Sequence, residues 1–128
     1  MHLETYSKPL LRISLSLVFL YFGYQQITAV DEWVGFVPDF ALGFGVAAET
    51  LVMSNALLEL VLGFFLLIGL YTRVVALVLA LHLFGIALSI GFNPLGVRDL
   101  GLAFATLAIF LSGSDDYCLD RKFEKQHL

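Results

Sequence analysis

The sequence is poor in cysteine and in charge, and each shortage excludes a class of function. Its 128 residues hold one cysteine, Cys118, which excludes an internal disulfide, a Cys-x-x-Cys pair and a four-thiolate metal site. Seven Lys and Arg against eleven Asp and Glu give a net charge of −4. Nucleic acid requires a basic surface, so it is not expected as a partner. We expect neither a metal site nor an intrinsic cofactor.

Apolar residues are abundant instead. They make up 59% of the chain, charged residues make up 14%, and the mean hydropathy is +0.89. Soluble domains average roughly 45–50% apolar and about 25% charged residues. A water-soluble core of this size could not hide so much apolar surface, so lipid is the expected solvent for much of it. The composition predicts one all-α integral membrane domain over residues 1–128.

Four apolar segments are long enough to cross a bilayer, which takes ~20 residues at 1.5 Å per residue. We predict spans over residues 10–28, 54–71, 74–92 and 97–111, and hence a four-helix bundle. The first is interpreted as a retained span rather than a cleaved signal. Pro9 suits the first turn of a helix. We expect Thr72-Arg73 to form the turn between the second and third spans, and residues 93–96 the turn before the fourth.

Residues 29–53 form a loop of different character. Aromatic side chains recur there at three- and four-residue spacing, at Trp33, Phe36, Phe40 and Phe44. Pro38 and several glycines prevent one long helix. We predict one or two short amphipathic pieces at the membrane interface, anchored by Trp33. A buried re-entrant piece over residues 40–53 is the alternative.

The basic residues predict how the chain is oriented. With four spans, both termini and the turn at residues 72–73 share one side of the membrane. Six of the seven basic residues lie on that side: Lys8, Arg12, Arg73, Arg121, Lys122 and Lys125. Cytoplasmic segments carry the excess of Lys and Arg. We therefore expect a protein of the cell (plasma) membrane with both termini and the tail, residues 112–128, in the cytoplasm.

Glu59 is the acid that lies inside the second apolar span. Ionisable residues within a membrane span are functional-site candidates by default. The predicted orientation places Glu59 ~7–8 Å below the outer end of its span. Polar residues of the other spans converge on the same leaflet: Gln25, Gln26, Asn93, Arg98 and Asp99. We predict a polar pocket near the outer leaflet and an apolar inner half of the bundle.

Two interpretations of this pocket remain open. Glu59 and Arg98 form either a structural ion pair or a site that holds a ligand head group or relays a proton; leaving one buried partner alone costs ~3–5 kcal/mol. Asp99 could instead pair with Arg98 or cap the fourth helix. His82, near mid-membrane, is either a further pocket residue or a hydrogen-bonded packing residue. Haem is not expected, because His2 and His127 lie outside the membrane.

Two other patterns carry structural expectations. Small residues are predicted to pack between helices of the bundle; they are Gly101, Ala105, Ala108 and Ser112 in the fourth span and Ala76, Ala80, Ala87 and Gly91 in the third. Cys118 is expected to be unreactive, because the nearby Asp116 and Asp120 raise the pKa of its thiol.

Four motifs resemble those of the DoxX family and occur along the chain in the family's order. Residues 56–77 resemble its E-x-x-x-G…G-x-x-T-R-x-x-A pattern. Residues 12–27 are similar to its opening R…F-G-x-x-K span, with Gln26 where a lysine is usual. Residues 97–102 resemble the R-D-x-G-L opening of its last span, and residues 117–121 its W-S-L-D close. The family residues that this resemblance carries over are Glu59, Arg73, Arg98 and Asp99.

The resemblance implies a four-helix membrane bundle and a link to redox chemistry. Members are associated with quinone-linked sulfur oxidation, as the membrane subunit of thiosulfate:quinone oxidoreductase, or with thiol redox and oxidative-stress complexes. The function expected here is a membrane subunit, without a self-contained catalytic motif, that binds quinone or a small amphiphile. Its expected partners are the lipid bilayer and membrane or soluble redox subunits, or further copies of the chain. The alternatives are a non-catalytic scaffold subunit and a small lipid or solute transporter.

Overall fold

The computed structural model describes residues 3–126, and for residues 124–126 the backbone alone. Seven α-helices and a 3-10 turn follow one another: α1 (Glu4–Thr28), α2 (Val30–Trp33), the 3-10 turn (Val34–Phe36), α3 (Asp39–Leu42), α4 (Ala48–Ile68), α5 (Thr72–Ile90), α6 (Pro94–Ser112) and α7 (Leu119–Gln126). No strand occurs in these residues. The helices α1, α4, α5 and α6 are long and apolar enough to cross a membrane. The all-α four-helix prediction is therefore confirmed.

All four long helices begin earlier than predicted, by six residues in α1 and α4, by two in α5 and by three in α6. The helix α1 begins at Glu4, so Pro9 is its sixth residue and not part of its first turn. The proline ring removes one backbone hydrogen bond from the helix. The first turn of α1 closes with Tyr6 N donating to Leu3 O. The helix α4 begins at Ala48, because residues 48–53 contain neither glycine nor proline and continue the helix beyond the most apolar stretch.

The loop between α1 and α4 consists of short helical pieces, and no single re-entrant segment covers residues 40–53. Its Trp33 ring packs edge-on against Phe22 of α1, with ring centroids 5.9 Å apart, and lies 5.6 Å from the Phe36 ring. The loop therefore folds over the end of α1. We call this end of the bundle, with residues 29–47 and 91–93, the loop side. The opposite end, with residues 3–8, 69–71 and 113–126, is the terminal side.

The four long helices pack as two close pairs, α1 with α4 and α5 with α6. Gly23 brings the first pair together, since a Cβ there would lie 2.7 Å from Leu60 Cγ. The hydrophobic core between the pairs is concentrated toward the terminal side, where Leu15, Leu66, Leu79 and Ile109 meet. Toward the loop side the pairs leave a space.

The prediction for the small residues of α6 was wrong for three of the four: Ala105 packs against the hydrophobic core, whereas Ser112 is exposed. Gly101 and Ala108 are exposed on the outside of the bundle, and α6 instead buries Asp99, Ala103, Thr106 and Ile109. Gly101 and Ala103 are two residues apart, about 200° around a helix, so the two stripes face opposite ways. In α5 the alanines Ala76, Ala80 and Ala87 are buried as predicted, whereas Gly91 is exposed.

The turn between α4 and α5 is Gly69–Tyr71 and not Thr72–Arg73, because Thr72 already begins α5. Gly69 and Tyr71 both adopt left-handed backbone angles, with φ of 75° and 53°. A Cβ on Gly69 would lie 2.6 Å from Cys118 Sγ, so glycine is needed for this contact as well. Arg73 is the second residue of α5 and lies outside the turn.

The terminal half of the bundle is not wholly apolar, which corrects a further prediction. Arg12 is 2% exposed, and its Nε donates to Asp115 Oδ2 at 2.8 Å. Its Nη1 donates to the carbonyl oxygens of Leu66 and Leu67, at the C-terminal end of α4. A hydropathy pattern cannot show this pairing, because Asp115 follows Arg12 by 103 residues.

The chain after α6 fastens the terminal side. The Asp120 carboxylate accepts hydrogen bonds from the backbone N–H groups of Tyr71, at 2.7 Å, and Thr72, at 2.8 Å, and so caps α5. The buried Cys118 thiol accepts from Asp115 N at 3.3 Å. Burial raises the pKa of that thiol. The expected direction is therefore confirmed, although burial rather than Asp116 and Asp120 is the main cause.

Candidate functional site

A cavity of about 610 Å³ occupies the space between the two helix pairs on the loop side. All four long helices and the loop line it. Most of its walls are apolar; the polar or ionisable side chains among them are Gln26, Trp33, Asn55, Glu59, His82, Ser89, Arg98 and Asp99. A concave, mostly apolar space with a few converging polar groups is the usual form of a small-molecule site.

Glu59 lies buried at the inner end of the polar group, with 5% of its surface exposed. Gln26 Nε2 of α1 donates to Glu59 Oε2 at 3.1 Å, and Asn55 Nδ2 donates to Glu59 Oε1 at 3.2 Å. Glu59 is the twelfth residue of α4, so it lies ~16 Å along the helix from Ala48. It is deeper than predicted, because α4 begins six residues earlier than expected.

Asn55 connects the polar residues of three helices, and the sequence analysis missed it. Its amide nitrogen also donates to Gln26 Oε1 at 2.6 Å, and its oxygen Oδ1 bonds to His82 Nε2 of α5. Asn55 precedes Glu59 by four residues, a spacing that places two side chains on one helix face. That spacing was the available signal, but Asn55 stood at the predicted boundary of the span.

His82 belongs to this group and is not an isolated packing residue. Its Nε2 also lies 4.0 Å from Glu59 Oε1. Because the Asn55 oxygen can only accept, His82 Nε2 must carry the hydrogen of their bond. In the neutral ring Nδ1 is then an acceptor. The Asn55 amide thus orients an imidazole that lines the cavity.

Arg98 pairs with Asp99, one of the two partners that the sequence left open, and not with Glu59. Arg98 Nη2 lies 3.1 Å from Asp99 Oδ1, and the guanidinium carbon lies 4.9 Å from the centre of the Phe22 ring. Asp99 is buried, whereas 43% of the Arg98 side chain is exposed. Glu59 has no need of a cationic partner within ion-pair distance, since two amides already bond to it. The Glu59 and Arg98 side chains nevertheless line the same cavity.

Three predicted site residues lie elsewhere. Asn93 caps α6: its Oδ1 accepts from Gly96 N at 2.9 Å and its Nδ2 donates to Ile90 O at 3.0 Å. Gln25 does not line the cavity, although its neighbour Gln26 does. Arg73 lies on the terminal side, at the start of α5. No group of three or more potential metal ligands occurs among the side chains that the structure describes.

Four long apolar helices around a buried polar group define a multi-pass α-helical membrane protein. The DoxX family model matches residues 8–92, about two thirds of the sequence, and the chain belongs to the DoxX family. The matched region contains Gln26, Asn55, Glu59 and His82 and ends before Arg98. No curated protein and no solved structure matches the chain.

Proposed function

We propose that this protein is the membrane subunit of a quinone-linked redox complex and that the loop-side cavity binds the quinone head group. The observation that carries the proposal is the position of Glu59, Asn55, His82 and Gln26 as one hydrogen-bonded group at the wall of an otherwise apolar cavity. The family's association with quinone chemistry adds support.

The polar groups suit both redox forms of such a ligand. A quinone has two carbonyl oxygens that require donors, and its reduced form has two hydroxyls that require acceptors. Arg98 uses Nε and Nη2 on Asp99 and keeps further N–H groups for a carbonyl oxygen. His82 Nδ1 can accept from a hydroxyl. Arg98 on α6 therefore supplies the donors and His82 on α5 supplies the acceptor, and both residues line the cavity.

The cavity also has an outlet for a hydrophobic tail. Leu81, Gly85 and Ser89 line it and are at the same time exposed on the outer surface of α5. A Cβ added to Gly85 would meet no atom within 4 Å. The space therefore opens sideways, toward the position of the acyl chains, and an isoprenoid tail has room to pass there.

Reduction of a quinone to a quinol consumes two electrons and two protons. We assign the supply of electrons to a partner subunit. The contribution of this chain is to orient the ring and to exchange protons at the ionisable side chains of Glu59, His82 and Asp99, which all line the cavity. We further propose the cell membrane as its location, with the terminal side facing the cytoplasm, because the basic residues collect on that side.

Isothermal titration with a short-tailed benzoquinone tests the proposal. Purified protein in a mild detergent should bind about one quinone per chain, and Glu59→Gln or His82→Leu should weaken binding about tenfold, the effect of losing one well-placed polar contact. Gln25→Leu is the matched control, since Gln25 lies next to the site but outside it. Heat that scales only with detergent concentration, without saturation, would overturn the proposal.

A further inference from the structure

A second hollow, on the terminal side, is not explained by quinone binding. It is a groove of about 940 Å³ between the start of α5, the end of α6 and α7. Arg73, Asp120 and Arg121 contribute charged groups to it, and Leu70, Val74 and Phe123 contribute apolar ones. Such a mixed lining at the end of a membrane span suits a molecule with a charged head and an apolar tail.

Two cations stand at the end of α6 beside this groove. Lys8 Nζ donates to Ser112 O at 3.3 Å. The Arg73 guanidinium lies against Gly113, where an added Cβ would be 2.7 Å from Arg73 Nε. The partial negative charge at a helix C-terminus attracts both. Within the side chains described, neither Lys8 nor Arg73 forms an ion pair.

The acidic side chains of the neighbouring segment already have hydrogen-bond or ion-pair partners. Asp120 lines the groove, but its two oxygens accept the backbone N–H groups of Tyr71 and Thr72. Asp115 pairs with Arg12, and Asp116 Oδ1 lies 3.6 Å from Arg121 Nη1. The positive charge of Arg73 is therefore available to a ligand. A guanidinium fork matches the oxygens of a phosphate group.

The groove continues into an apolar surface that would face the acyl chains. Ser112 lines the groove and lies on the outward face of α6. That face also carries the exposed side chains of Phe104, Ala108 and Leu111. An acyl chain can pack against these apolar side chains.

We propose that this groove is a binding site for one anionic phospholipid, with its phosphate on Arg73 and Lys8 and an acyl chain along the outward apolar face of α6. Basic pockets at the ends of membrane helices bind such head groups. The site is independent of the quinone cavity, because it lies at the opposite end of the bundle and shares no lining residue with it.

Native mass spectrometry of the detergent-solubilised full chain tests the site, with phosphatidylglycerol and phosphatidylcholine as probes. The wild type should retain one phosphatidylglycerol and release phosphatidylcholine. Arg73→Gln should weaken phosphatidylglycerol binding at least about tenfold, the effect of a lost charge-assisted contact. The affinity of Arg73→Lys for phosphatidylglycerol should lie between those of the wild type and Arg73→Gln. The matched control is Lys122→Gln, which removes an exposed positive charge from α7 outside the groove and should change binding less than about twofold.

Several results would overturn the proposal. Equal losses in Arg73→Gln and Lys122→Gln would show diffuse attraction to a charged surface rather than a site. Equal retention of phosphatidylcholine would show that the net charge of the lipid is irrelevant. Displacement of the lipid by millimolar inorganic phosphate would identify a free anion as the ligand. Because Arg73 is exposed, Arg73→Gln should keep the helical circular dichroism of the wild type, and that spectrum is recorded with each variant.

Discussion

Arg12 of the first span and Asp115, beyond the last span, form a buried ion pair at 2.8 Å on the terminal side. Through the Leu66 carbonyl the same guanidinium also holds the end of α4. One side chain thus ties together three parts of the bundle that are far apart in sequence. Stability on this side and quinone binding on the loop side can therefore be tested separately.

Replacing Arg12 should destabilise the bundle strongly. Arg12→Met leaves the Asp115 carboxylate buried without its partner, which costs about 3–5 kcal/mol of unfolding free energy. The double variant Arg12→Met with Asp115→Leu should recover most of that loss, because replacing a whole buried pair by apolar side chains is often neutral. Thermal unfolding in detergent measures both. Glu4→Gln, an exposed change on the same helix, is the control; if it destabilised the protein as much as Arg12→Met, the ion pair would have no special role.

The Asp115 carboxyl should make stability depend on acidity. Burial alone would raise its pKa, but the Arg12 guanidinium and the Tyr117 backbone N–H outweigh burial and hold the pKa below its ordinary value. The unfolded chain therefore takes up this proton at a higher pH than the folded chain. The stabilising contribution of the ionised Asp115 carboxylate is present at neutral pH and is lost as the pH falls below about 4. The difference in unfolding temperature between wild type and Asp115→Asn should narrow over that range; a constant difference down to pH 3 would contradict this assignment.

The Cys118 thiol should resist alkylation until the protein unfolds. Burial raises its pKa, which keeps it protonated, and the close contact with Gly69 shields it. We expect iodoacetamide at pH 8 to modify Cys118 at least about tenfold more slowly than a free thiol of unperturbed pKa, and at the free rate in denaturant. Mass spectrometry after timed quenching gives both rates. Rapid modification of the folded protein would show that the segment 113–120 is not held against the bundle.

The sequence predicted the number of spans, because long apolar runs are local signals, and it singled out Glu59 as the one acid within the second predicted span. It placed Gln26 near Glu59, but it missed Asn55, which stood at a span boundary that apolarity placed six residues too late. It also left open whether Arg98 pairs with Glu59 or Asp99. The structure shows the pairing with Asp99, its neighbour in sequence.

The role of Arg12 could not be predicted from the sequence either. Within a hydropathy profile it resembles any basic residue near the end of a span, and it was counted as a positive charge of the cytoplasmic face. Only the fold brings Asp115 and the Leu66 carbonyl to it. Likewise the tail motif at residues 117–121 was recognised without a role, whereas the structure shows Asp120 capping α5 and Cys118 packed on Gly69.

The fluorescence of Trp33 provides the most direct test of the central claim, that the loop-side cavity binds a quinone. Trp33 is the chain's one tryptophan and lines that cavity, and a bound quinone ring quenches a neighbouring indole. Titration with a short-tailed benzoquinone should give saturable quenching. Arg98→Gln should weaken it about tenfold, whereas Arg73→Gln, the same substitution at the opposite end of the bundle, should leave it unchanged. Quenching that rises linearly without saturation, and equally in all three proteins, would contradict the account.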